Sequence, residues 1–104
     1  MEMDIFIRRD INAGIKAWEN TEGAVLLDVR TKEEYDSFHI DKSLNLPLDK
    51  LSAVSERIPD KTTPLFVYCL SGSRSAYAKS YLSARGYTQV FDIGGINKYK
   101  GDTV

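Results

Sequence analysis

The chain has 104 residues and a net charge of -1, so it lacks the basic surplus that a nucleic-acid surface needs. That length suits one domain with a core that needs no disulfide staples, and the single cysteine excludes an internal disulfide in any case. No Cys/His cluster has metal-ligand spacing and no apolar run approaches the roughly 18 residues of a membrane span, so neither a metal, another cofactor nor a membrane partner is expected.

The opening segment from Met1 to Phe6 is too acidic, and its apolar part too short, for a secretory signal. With the lone thiol, this leads to the expectation of a cytoplasmic protein. Asp10 is placed to cap a helix running from about Ile11 to Glu19. Ile11, Ile15 and Trp18 fall at i, i+4 and i+7 of that helix, so Trp18 reads as core packing rather than as a binding aromatic. Ala24 to Val29 reads as a short strand buried on both faces. Thr31-Lys32-Glu33-Glu34 matches a capping box and starts a brief helix. Ser43 to Pro47 is an extended piece closed by proline. Asp49 is read as the cap of the next helix, which stops before Pro59. Asp60 to Pro64 is a polar turn into a strand over Leu65 to Tyr68, and the helix that follows ends at Gly86. Gln89 to Ile93 is a last strand ended by Gly94-Gly95, with one helical turn over Ile96 to Lys100.

Strands and helices alternate, which predicts an α/β fold: an open parallel sheet flanked by helices on both faces. Ligands of such sheets bind outside the carboxyl ends of the strands. Cys69 stands at that end of its strand, and Asp28-Val29-Arg30 at the same end of an earlier one.

Cys69 carries the most chemistry. It sits where a buried strand gives way to a loop, Leu70-Ser71-Gly72-Ser73-Arg74, and then a helix. Loop amides and the helix N-terminus favour an anionic sulfur there and make a cradle for a small anion. The bland alternative is an inert buried thiol. Gly72 allows a turn at the loop tip. Ser71 and Ser73 either donate to a bound anion or satisfy local backbone. Arg74 reads as a clamp on an anionic substrate, because a cation at a helix start otherwise opposes the dipole. Arg30 and Glu34 are spaced to pair with each other, a mainly structural role. Asp28 is expected to bond amides near the loop and steady it. His39, the sole histidine, reads as structural.

In four segments the sequence resembles the rhodanese-like sulfurtransferases in their single-domain form. Leu27-Asp28-Val29-Arg30 with Glu33-Glu34-Tyr35 is similar to the family's strand end and acidic-aromatic helix. His39-Ile40 with Asn45-Leu46-Pro47 is similar to its next stretch. Val67-Tyr68-Cys69 through Arg74 and Ser75 is similar to its active-site loop, and Ile93-Gly94-Gly95-Ile96 to its closing double glycine. Each piece is weak alone, but their order and spacing from about Asp4 to Gly101 are specific. Departures are Lys42-Ser43 where the family often has Gly-Ala, Tyr99 where it often has Trp, and Leu70 where thiosulfate-using members tend to carry a basic residue.

The resemblance implies a rhodanese-like domain over the whole chain, with Cys69 as catalytic nucleophile. It implies Leu70, Ser71, Gly72, Ser73 and Arg74 as the anion-binding loop, with Asp28 and Arg30 in support. The implied partners are a small anionic sulfur donor such as thiosulfate and a thiol or cyanide acceptor, a thioredoxin-like protein thiol included. Two other functions compete. One is a non-catalytic or very slow module that binds a protein partner or delivers sulfur to it. The other is a cysteine phosphatase or arsenate reductase. From Cys69 to Arg74 the loop has six residues, one fewer than the Cys-x5-Arg loop of cysteine phosphatases, and Ser75 takes the place of their arginine. The shorter loop suits a persulfide better than a tetrahedral phosphate.

Overall fold

The structure is a computed structural model and describes residues 9–104, so the acidic opening segment Met1–Phe6 lies outside the described residues. Four strands, β1 (Val25–Asp28), β2 (Leu44–Asn45), β3 (Leu65–Cys69) and β4 (Val90–Gly95), form one sheet in the order β2-β1-β3-β4. Every pairing among these described strands is parallel. Among the described residues the α-helices are α1 (Ile11–Glu19), α2 (Lys32–Ser37), α3 (Val54–Arg57) and α4 (Ser73–Ala84). Two 3-10 segments, Leu48–Ala53 and Ile96–Lys98, complete the described elements. This is the α/β architecture the alternating pattern predicts.

The period of two along β3 divides the core. Leu65, Val67 and Cys69 join one buried cluster with Leu51, Val54, Ala78 and Leu82. Phe66 and Tyr68 join the other, with Ile11, Ile15, Phe91 and Ile93. All five residues of β3 are buried, as befits an inner strand covered on both faces. Trp18 is half-buried and packs on the α1 side, in keeping with a core role.

Local chemistry sets the helix ends. Asp10 Oδ1 accepts from Asn12 N at 3.0 Å and Ala13 N at 3.4 Å, a cap worth about 1 kcal/mol. The Thr31/Glu34 capping box is complete in both directions. At the end of α4, Gly86 has φ +99°, Gly86 N bonds Ser83 O and Tyr87 N bonds Leu82 O, the paired bonds of a Schellman ending.

Two expectations are corrected here. Asp49 caps nothing: the helical segment begins one residue earlier, at Leu48, with Pro47 in the cap position and no side-chain cap bond. Proline favours the entry to a helix because its missing N–H is one of those left unbonded there anyway. The glycine pair does not end the last strand but belongs to it, since Tyr68 pairs with Gly94 and Cys69 with Gly95. The register shifts at Val67/Tyr68, so Ile93 has no opposite number.

Candidate active site

Tyr68 and Asp28 are opposite one another in the β1–β3 register, so the ends of both strands open on one side of the sheet. Cys69 is the last residue of β3, and its side chain is fully buried. Two backbone N–H groups donate to Sγ, Gly72 at 3.0 Å and Ser75 at 3.3 Å. Sγ also lies 3.6 Å from Ser75 Oγ. Directed amides of this kind hold negative charge on sulfur without any reorganisation.

The loop takes this shape because Gly72 has φ +113°, a left-handed conformation that carries the chain from the strand into α4. A methyl group at that position would meet the Arg9 guanidinium, which bonds Gly72 O. The loop expected to bind an anion contributes to the sulfur's surroundings through its backbone. Within it Gly72 supplies an amide to the sulfur, and the second amide comes from Ser75, one residue beyond it. Leu70 is exposed, and its carbonyl instead accepts from Asn97 N at 3.1 Å. Ser71 and Ser73 are exposed, and Ser71 lines an open groove with Arg9, Asn97, Lys98 and Lys100.

Arg74 does not stand free for a substrate. Its guanidinium makes a two-pronged pair with Glu34, Nη1 to Oε1 at 2.6 Å and Nη2 to Oε2 at 3.0 Å. That contact holds the Glu34 carboxyl down at about 2, helped by the Thr31 amide. The expected Arg30–Glu34 pair is thus replaced. Arg30 turns the other way onto Asp28, with Nη2 to Oδ2 at 2.7 Å and both Nε contacts at 3.1 Å. Both residues are buried, and Arg30 Nη2 also donates to Phe38 O at 2.7 Å. Asp28 accepts the Arg30 amide at 2.9 Å as well. Its expected bonds to the active loop are therefore absent, because the guanidinium two residues on occupies both oxygens.

Tyr68 extends this buried framework. Its hydroxyl accepts from Ile40 N at 3.2 Å and meets Ser43 Oγ at 3.2 Å, while burial pushes its ionisation far above the usual phenol range. His39 Nδ1 donates to Tyr35 O at 2.7 Å and its ring stacks on Tyr35, a structural arrangement as expected.

Two residues that received no role of their own from the sequence complete the site. Ser75 is fully buried, and its Oγ lies 2.7 Å from Asp92 Oδ1 and 3.0 Å from Gly72 O. Asp92, also buried, accepts from Gly94 N at 3.0 Å and pairs with Arg9 Nε at 3.2 Å. A signal was present in Val90-Phe91-Asp92-Ile93: alternation puts Asp92 on the Val90 face, the face α4 covers.

Known proteins resemble the chain in sequence and fold. The family model for the rhodanese-like domain matches residues 11–102. The chain is 38% identical over 71 residues to the thiosulfate sulfurtransferase PspE of Escherichia coli, covering 67% of this chain and 68% of that protein. It is 35% identical over 89 residues to the thiosulfate sulfurtransferase GlpE of Coxiella burnetii, covering 83% of this chain and 82% of that one. Among solved structures, a rhodanese with anions from E. coli superposes with a TM-score of 0.72 at 34% identity, covering 78% of this chain and 96% of that chain. No helix among the described residues is long and apolar enough to cross a membrane. A parallel four-stranded sheet with helices on both faces, a cysteine at the end of an inner strand, and the match over residues 11–102 lead to one assignment: the chain belongs to the rhodanese-like domain family.

Proposed function

We propose that the protein is a sulfurtransferase that moves sulfane sulfur from a small anionic donor such as thiosulfate to a thiophilic acceptor, through a persulfide on Cys69. The observation that carries this reading is the pair of N–H groups, from Gly72 and Ser75, directed at Sγ. The thiosulfate sulfurtransferase names of the relatives PspE and GlpE support it.

In the first half-reaction the Cys69 thiolate attacks the outer sulfur of thiosulfate. The S–S bond of the donor breaks, and sulfite leaves with the bonding electron pair. The new Cys–S–S⁻ carries the charge. In the second half-reaction cyanide, or a thiolate including that of a thioredoxin-like protein, attacks the outer sulfur. The persulfide S–S bond breaks, its electron pair goes to Sγ, and the Cys69 thiolate returns, to be held again by the two amides. The chain has one cysteine, so an internal disulfide cannot release the sulfur and the acceptor comes from outside.

A second reading, slow delivery of sulfur to a protein partner, draws on the full burial of Cys69 and the commitment of Arg74 to Glu34. Both features restrict entry of a free small donor. Intact mass spectrometry after brief incubation with thiosulfate, beside Cys69→Ser, tests the main reading. A gain of one sulfur atom in the wild type alone is expected. No gain, with mercaptopyruvate tried as second donor, would overturn it.

A further inference from the structure

The Ser75 hydroxyl has one hydrogen and four acceptors around it. Asp92 Oδ1 is at 2.7 Å, Gly72 O at 3.0 Å, Gly94 O at 3.5 Å and Cys69 Sγ at 3.6 Å. The carboxylate is the nearest and the only charged oxygen of the set, and charge-assisted bonds are roughly twice as strong as neutral ones. It is itself fixed, by Gly94 N at 3.0 Å and by Arg9 Nε at 3.2 Å. The hydroxyl hydrogen therefore lies on Asp92, and the oxygen presents a lone pair to the sulfur.

We propose that Asp92 is a positioning residue for Cys69, acting through Ser75: it keeps the Ser75 hydroxyl hydrogen off the sulfur. Three donors converge on this corner, and only the two backbone N–H groups are then directed at Sγ. A third donor on the thiolate would lower its nucleophilicity, just as nucleophilicity falls when a thiolate is stabilised by other means. Asp92 thus sets the number of hydrogen bonds on the sulfur at two. Its place in β4, on the face covered by α4, is what brings it to Ser75 across a separation of 17 residues.

The role deepens the sulfurtransferase reading, so its test includes an arm that needs no sulfur transfer. Asp92→Asn keeps the shape and removes the charge, leaving the anionic sulfur as the strongest acceptor for the Ser75 hydrogen. Cys69 alkylation by iodoacetamide, followed by intact mass at pH values where the rate has stopped rising, is compared in wild type and Asp92→Asn. The variant is expected to react at least threefold more slowly, and the difference is expected to vanish in a Ser75→Ala background. A merely structural disturbance would expose the buried sulfur and raise the rate, so an equal or faster rate overturns the proposal. So does a slowing that persists in the Ser75→Ala background. Should Asp92→Asn not fold, Ser75→Ala alone decides: a plateau rate within about threefold of wild type supports the proposal, and a larger change overturns it, a rise because it means that the hydroxyl donates to the sulfur in the wild type. Absence of a persulfide in the wild type would count against the sulfurtransferase reading alone and leave the alkylation result standing.

Discussion

Glu34 and Arg74, 40 residues apart, close on each other in a two-pronged ion pair that ties the first turn of α2 to the first turn of α4. The pair explains how a cation is tolerated at the N-terminus of the helix that follows Cys69. The Glu34 carboxylate offsets the charge that would otherwise oppose the helix dipole.

The pair makes stability depend on pH in a defined window. The Glu34 carboxyl is lowered from 4.5 to about 2, chiefly by the hydrogen bond from Arg74. A depressed carboxyl stabilises the fold above its unfolded value, and that stabilisation is lost as pH falls through the folded value. Both side chains are about 30% exposed, at 31% and 29%, so solvent screening limits the contribution to about 1 kcal/mol. Glu34→Gln is therefore expected to be less stable than wild type by about 1 kcal/mol at pH 7. The gap should close between pH 4.5 and about 2. Urea melts across that range check it, and a constant gap would show that Glu34 acts through packing instead.

The same pair bears on how Arg74 serves the donor. If the guanidinium serves the donor only after leaving Glu34, then Glu34→Gln frees it and lowers the donor KM while Arg74→Ala raises it. Steady-state kinetics with thiosulfate on both variants read this directly. A matching rise in both would assign Arg74 to holding α2 and α4 together.

Asp28 and Arg30 are a buried pair of a different kind, both almost wholly removed from water at 0% and 1% exposure. Deleting one partner strands the other's charge, a loss of about 3–5 kcal/mol. Asp28→Ala is expected to lower stability by that amount, and the unpaired guanidinium also keeps its bond to Phe38 O. Arg30→Lys should be nearly as costly, because an ammonium cannot reproduce the fork that meets both Asp28 oxygens. Chemical denaturation of the two variants checks this, and a cost under about 1 kcal/mol for either would mean that water reaches the pair.

What could be read from the sequence was local. The Asp10 cap, the Thr31/Glu34 capping box and the Gly86 helix ending each depend on residues within a few positions, and each formed as expected. Cys69 at a strand end followed from an apolar run meeting a polar loop. The partners of charged residues could not be read this way. Arg30 faces both Asp28 and Glu34 within four positions, and only the fold decides between them. Arg74–Glu34 and Ser75–Asp92 join residues 40 and 17 apart, and both depend on which strands are neighbours. Asp49 failed as a cap because Pro47 had already opened the helical segment.

Gly14 offers a last test, on how α1 is held against the sheet. It is buried in the middle of α1, where helix propensity alone would favour alanine by about 0.5–1 kcal/mol. A methyl group there would run into Ile93 at its Cβ and Cγ2, atoms close to the β4 backbone that cannot swing away. Overpacking of this kind costs typically about 1–3 kcal/mol, which exceeds the propensity gain. Gly14→Ala is therefore expected to be destabilised on balance, with a lower thermal midpoint. Because Ile93 follows Asp92 in β4, the shift that relieves the clash also moves the carboxylate that holds Ser75. Cys69 alkylation in Gly14→Ala should change along with stability, whereas a stabilised variant would mean that α1 rides over the sheet freely enough to make room.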